Sequence, residues 1–386
     1  MTIRVLPLCA AALAWAAVAP AAPLDLGRVS AKAVWVMHVD MDAARESTVL
    51  KRGWEKAVAM HPQAEAMMKM GCGMMGMDPR KDLRDVTAYG EDTDKRNGVM
   101  IVRAKANREM LEKMVEKAPD HETMEHRDYT LHAWTHKGWK GGWKGHQGER
   151  VVGAFFRDDV MVFARDPAKV KAALDVLDGE AKTAEGDGPL GGRVRPGSIL
   201  VARAAAVDPD TKCPVLKQGR SFRVAMGESE GTSFYRARLD MTSAEAADQA
   251  EDVVEGMEAL GRLRFGDDGA ALKLIDGLET KTDGDTCMIS WDAPADDVWV
   301  VMEKMADRWE QKRKEWMKAH AGKRGDWGRG SKDGCRCGDD GCACGDDGCA
   351  CGTGGCKGCE KCPAGECPMK KGGLKRGEEP LRDDEF

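Results

Sequence analysis

The sequence predicts an α+β protein: two regions of mainly antiparallel sheet with helices on one face, then a long helix and a flexible Cys/Gly-rich tail. Three observations carry this. Short apolar strands follow one another through tight turns, helical stripes are interspersed among them, and the pattern stops abruptly near residue 320. The boundaries read as a leader over 1–21, a first α+β region over 22–185, a linker over 186–197, a second α+β region over 198–320 and a tail over 321–386.

The leader has a basic start at Arg4, an apolar run from Val5 to Ala19 and a small-x-small site at Ala19-Pro20-Ala21. This is the pattern of a cleaved export signal, with Ala22 as the new first residue, and the run is too short to span a bilayer. No later segment reads as membrane-spanning, so the expected location is periplasmic or extracellular.

In the first region, Ala33 to Val39 is a buried strand, and Asp40 or Asp42 caps a helix reaching Met60. Leu83–Tyr89 and Val99–Ala104 are strands around an Asn97-Gly98 turn. Asn107 caps a helix through Lys117 with Met110, Leu111 and Met114 on one side. Strands follow at Thr130–Trp134, Val151–Phe156 and Val160–Phe163. Asp166-Pro167 then opens a helix carrying Val170, Ala173, Leu174 and Leu177.

In the second region, Ser198–Ala204 is a strand, and Ser221–Met226 with Thr232–Asp240 makes a hairpin around Gly227–Gly231. Thr242-Ser243-Ala244-Glu245 is a capping box for a helix to about Leu263. A short helix over Ala270–Leu278 and a strand over Thr286–Trp291 precede a long helix from Ala293 to about His320. Its apolar stripe is Val298, Met302, Met305, Trp309 and Trp316. The two regions have a similar order of elements, though no exact sequence repeat. The segment Ala31 to Trp316 resembles uncharacterised secreted bacterial proteins with a VWVMHVDMDA-like first strand and a second strand ending in Tyr-Gly. That resemblance implies no activity.

The tail has seventeen glycines in residues 321–386 and too few large apolar side chains to offset its chain entropy. It also holds ten of the fourteen cysteines. Three repeats of period seven, G-C-x-C-G, place Cys335, Cys337, Cys342, Cys344, Cys349 and Cys351; Cys356, Cys359, Cys362 and Cys367 follow. Close thiols on a glycine backbone suit chelation of soft ions such as Cu(I) or Zn(II). The spacing resembles metallothionein-type C-x-C repeats over about 33 residues. Disulfide bonding is the competing reading, because export favours it and ten is even. Cleavage of the leader removes Cys9 and leaves thirteen cysteines, so at least one thiol lacks an intramolecular partner.

Two weaker metal candidates lie in the body. Met67, Met68, Met70, Met74, Met75 and Met77 surround Cys72 in a glycine-interrupted segment. It reads as a surface loop suited to Cu(I), or as a Met-rich packing surface. His132, His136 and His146 flank a Trp/Lys/Gly-rich stretch that offers Cu(II), Ni(II) or Zn(II) ligands, a contact for an anionic polymer, or only a hairpin tip.

Catalytic motifs fail on spacing or context. His121-Glu122-Thr123-Met124-Glu125-His126 is one residue too long for a zinc-protease helix, and Gly227–Gly231 matches G-x-S-x-G between two strands. Cys213 and Cys287 are read as one disulfide or as small buried side chains. With 59 basic and 65 acidic residues, net charge −6, no nucleic-acid partner is expected. The sequence therefore points to an exported non-enzymatic metal-binding protein, with soft metal ions as its partners. The alternative is an envelope scaffold that contacts another protein and carries a disulfide-bonded tail.

Overall fold

The computed structural model describes residues 22–136, 148–186, 188–208, 210–327, 337–338 and 341–342. The leader and most of the tail lie outside them. The chain divides into a unit ending at Asp307 and a second unit from Arg308.

The protein is α+β. The first half contributes β1 (Trp35–Asp40), β2 (Leu83–Gly90), β3 (Val99–Ala104), β4 (Glu122–His126), β5 (Tyr129–His136), β6 (Glu149–Arg157) and β7 (Val160–Ala164). The second adds β8 (Ser198–Ala204), β9 (Gly219–Ser229), β10 (Thr232–Met241), β11 (Leu278–Asp283) and β12 (Thr286–Pro294). All twelve form one sheet in the order β11-β12-β10-β9-β8-β1-β2-β3-β7-β6-β5-β4, with every pair antiparallel. The two expected regions therefore meet edge to edge at β1 and β8, where Val36 faces Arg203 and His38 faces Val201.

The halves repeat one topology. Three strands meander outward from the centre (β1-β2-β3 and β8-β9-β10). The chain then crosses to the outer edge and meanders back, so that β7 lies beside β3 and β12 beside β10.

The helices are α1 (Met41–Glu46), α2 (Thr48–Met60), α3 (Pro62–Met75), α4 (Arg108–Glu116), α5 (Pro167–Leu177), α6 (Pro214–Lys217), α7 (Ala244–Arg264), α8 (Gly269–Ile275) and α9 (Ala295–Trp327). Val170, Ala173 and Leu174 of α5 bury against the sheet face carrying Val36, Ile101, Leu131 and Val162. Ala246, Ala247 and Ala250 of α7 pack on the opposite face, against Met241 and Cys287. The helix that follows β12 is not a counterpart of α5: the first turns of α9 pair with α2 through Arg52–Asp296 (2.8 Å) and Lys56–Glu303 (3.2 Å), and with α8 through Lys273–Asp297 (2.6 Å). In α9, Met302, Met305, Trp309 and Trp316 are all exposed.

Several expectations are corrected. The helix expected from Asp40 to Met60 is broken at Ser47, which is extended (φ −63°, ψ 125°) and caps α2 through its hydroxyl. The Met-rich segment is not a loop: α3 starts on Pro62 and runs to Met75, where Gly76 at φ +61° takes the left-handed end position. β4 was not anticipated, because Met124 is the one apolar residue among Glu122, Met124 and His126 on its core-side face, and the strand lies at the sheet edge. The helix expected over Ala270–Leu278 stops at Ile275 and gives way to β11. The β9–β10 loop shrinks to Glu230-Gly231, both at positive φ (51° and 73°), the geometry of a tight hairpin turn.

The Val-Trp and Tyr-Gly motifs explain each other. Trp35 is the register partner of Gly90, and its indole donates to the Asp92 carbonyl at 2.8 Å. A Cβ on Gly90 would lie 2.5 Å from the indole nitrogen, so the ring can cover only a glycine there. On the other face of β1, the buried His38 donates through Nε2 to the Ala22 carbonyl (2.8 Å), and Nδ1 accepts from the Thr87 hydroxyl (2.9 Å).

Candidate functional site

Of the ten tail cysteines, Cys337 and Cys342 are in described residues. They belong to β13 (Cys337–Gly338) and β14 (Gly341–Cys342), a two-stranded antiparallel pair with Cys337 opposite Cys342. The C-x-C-G-D-D repeat thus allows cysteines from successive repeats to meet across a backbone ladder. Cys335, Cys344, Cys349, Cys351, Cys356, Cys359, Cys362 and Cys367 lie outside the described residues.

The methionine cluster is helical. Met68 and Cys72 sit one turn apart on α3 and both are half-buried, whereas Met70 is exposed and Met77 follows the helix end. The side chains of Met67, Met74 and Met75 are outside the described set. Cys72 is a free thiol.

His132 and His136 both lie on β5, with four residues of strand, about 13 Å of backbone, between them. His146 and the side chain of His136 are outside the described residues. The true neighbour of His132 is His121, whose Nε2 is 3.1 Å from His132 Nδ1 with the rings stacked at 5.4 Å. Burial and then the adjacent His121 lower the His132 pKa. His126 instead meets Asp175 of α5 at 2.9 Å. Among the described residues no group of three or more His, Cys, Asp or Glu side chains is arranged to hold a metal ion.

Cys213 and Cys287 are both free. Cys213 is exposed ahead of α6, while Cys287 is buried on β12 beneath α7, where burial and then Glu251 raise its pKa. Glu228, inside the G-x-S-x-G match, serves structure: its carboxylate accepts from Ser47 Oγ (2.8 Å), Thr48 N (2.9 Å) and Val49 N (3.3 Å) at the start of α2.

Sequence reasoning missed a concavity of the body. A groove of about 690 Å³ lies on the Val36 face of the second half. Its floor is set by register: Arg203 on β8, Arg223 on β9 and Arg238 on β10 are direct neighbours, followed by Met288 on β12 and Lys281 on β11. Arg236 lies in the next row, and Gly192-Arg193-Val194 form one wall. The signal was the Arg236-x-Arg238 alternation, but it becomes a cluster only when the pairing of five strands is known.

No protein-family model matches the chain, and no curated protein does. Three crystal structures of TP0453, in forms III, I and IV, are similar to it. They have TM-scores of 0.38, 0.38 and 0.37 at 7%, 9% and 8% identity. The matches cover 73%, 73% and 74% of this chain and 99%, 98% and 97% of the other. No helix among the described residues is long and apolar enough to cross a membrane.

Proposed function

We propose that this is an exported, non-enzymatic protein whose ten tail cysteines take up soft metal ions, Cu(I) or Zn(II), as thiolates. The observation that carries the reading is the density and period of the tail: ten cysteines between Cys335 and Cys367, six of them in a repeat of seven residues. Thiolate is the ligand these ions prefer, and glycine lets the chain wrap an ion without steric cost. Ten thiolates suffice for two four-ligand zinc sites with two to spare, or for a cluster that shares sulfurs. Protons compete for thiolate, so uptake weakens at low pH.

The second reading, an envelope scaffold with a disulfide-bonded tail, draws on the opposition of Cys337 and Cys342. Directly opposed residues of an antiparallel pair have Cα atoms about 4.5–5.5 Å apart, within disulfide range.

The test is anaerobic purification of the exported protein, followed by metal analysis and thiol counting on the same sample. Metal uptake that disappears on deleting residues 333–368 supports chelation. Negligible uptake by fully reduced protein removes it. Five tail disulfides in freshly isolated protein establish the second reading.

A further inference from the structure

The thiolate reading of the tail makes no use of the arginine groove, and its construction is costly for a surface that does nothing. Six cationic side chains line it (Arg193, Arg203, Arg223, Arg236, Arg238 and Lys281) against a single lining carboxylate, Glu279. Two of the six are compensated: Arg236 pairs with Asp292, and Arg238 with Asp240 at 2.9 Å. Arg203 is 5% exposed and spends its donors on the carbonyls of Leu190 (2.6 Å) and Arg193 (3.2 Å), which carry no net charge. Arg193, Arg203, Arg223 and Lys281 make no ion pair among the described residues. Like charges directly opposite each other in a sheet repel, and Arg203, Arg223 and Arg238 stand abreast on three adjacent strands.

The Nε of Arg223 is the clearest sign of a missing partner. It is buried, and it donates to nothing among the described residues. A buried donor without an acceptor destabilises the fold that holds it. Across the wall, Gly192 is held at φ +102°, and a Cβ there would come 3.2 Å from an Arg223 terminal nitrogen. The chain thus keeps open the space around this guanidinium. The groove also occupies the place that α5 fills in the first half of the repeat.

We propose that the groove binds a small organic phosphate with an apolar portion. Planar guanidinium forks match phosphate oxygens, and a phosphate monoester brings roughly two negative charges to a groove where four unpaired cations face one carboxylate. Ala225 and Met288 supply apolar surface between the charges. The volume suits a ligand of small-molecule size.

The experiment titrates the full-length reduced protein with phenyl phosphate, inorganic phosphate and benzyl alcohol by calorimetry at two ionic strengths. Expected is saturable binding of phenyl phosphate that weakens with salt, weaker binding of inorganic phosphate and none of benzyl alcohol. Arg223→Gln and Lys281→Gln each lower affinity about tenfold, whereas Lys105→Gln on the other half does not. Lys281 is exposed on the edge strand, so its replacement tests the charge without endangering the fold. Arg223→Gln without ligand is expected to be at least as stable as the parent, because like-charge repulsion is relieved. The proposal is overturned if phenyl phosphate shows no saturation at about 10 mM, or if both groove variants keep the parent affinity. It is also overturned if phosphatidic acid in phosphatidylcholine vesicles captures the protein and phenyl phosphate does not compete, which would make the surface a membrane contact.

Discussion

Replacing Glu228 tests whether the second half of the chain holds a helix of the first. The carboxylate on β9 accepts three hydrogen bonds at the N-terminus of α2, from one hydroxyl and two backbone N–H groups. Each bond to a charged acceptor contributes about 1.5–3 kcal/mol in a buried setting. The positive end of the helix adds about 0.3–1 kcal/mol. The site is only part-buried, so water replaces much of this when the side chain is removed. The net expected loss is about 2–3 kcal/mol for Glu228→Ala. Glu228→Gln keeps the shape but turns one acceptor into a donor facing donors, and should cost about 1–2 kcal/mol. Burial pushes the Glu228 pKa up, but the Thr48 N–H, the Ser47 hydroxyl and their neighbours outweigh it and hold the pKa below the ordinary glutamate value. A lowered acid stabilises the folded state above the unfolded pKa and loses that contribution as pH falls through the folded one. The parent-minus-Gln difference should therefore be full at neutral pH and vanish in acid. Urea unfolding of the reduced full chain measures it, and hydrogen exchange in α2 localises it. A difference below about 0.5 kcal/mol at neutral pH, unchanged by acid, refutes the clamp.

Three further outcomes are expected. Gly90→Ala should lower stability by about 1–3 kcal/mol in urea, because the Trp35 ring is pinned to the Asp92 carbonyl; adding Trp35→Leu should recover part of that loss. His38 is held neutral by burial, which lowers its pKa despite the Ala22 carbonyl. Its contribution is complete above the unfolded value near 6.5 and is lost as pH falls below it, by at most about 1.4 kcal/mol per pH unit; His38→Gln should flatten that slope in urea midpoints. Iodoacetamide applied to native protein should label Cys213 quickly and Cys287 only on unfolding, as peptide mass spectrometry would show.

The strands with strong apolar alternation were readable from sequence because each buries one face, as Val99, Ile101 and Val162 do. The edge strands were not. β4 and β11 carry mostly polar residues, since one flank of each has no ladder partner and little core to meet. The helix break at Ser47 was hidden because its reason is distant: Glu228 approaches from 181 positions along the chain. The glycines of α3 argued for a loop, yet Gly71 and Gly73 have open space around them and a helix tolerates them at about 1 kcal/mol each. The tail cysteines are legible from spacing alone. The arginine groove is not, because its residues come from β8 to β12 and the preceding linker, and only register makes them neighbours.

The seam between β1 and β8 joins residues more than 160 positions apart. A ribosome therefore delivers β1 long before its central partner. Until β8 arrives, the first half presents an unpaired ladder along β1, at what will become the middle of the sheet. Closing such a distant pairing is slow, and an open edge invites pairing with another chain. A fragment ending before Ser198 should consequently self-associate, and the rate of reaching the native sheet should be set by the arrival of β8.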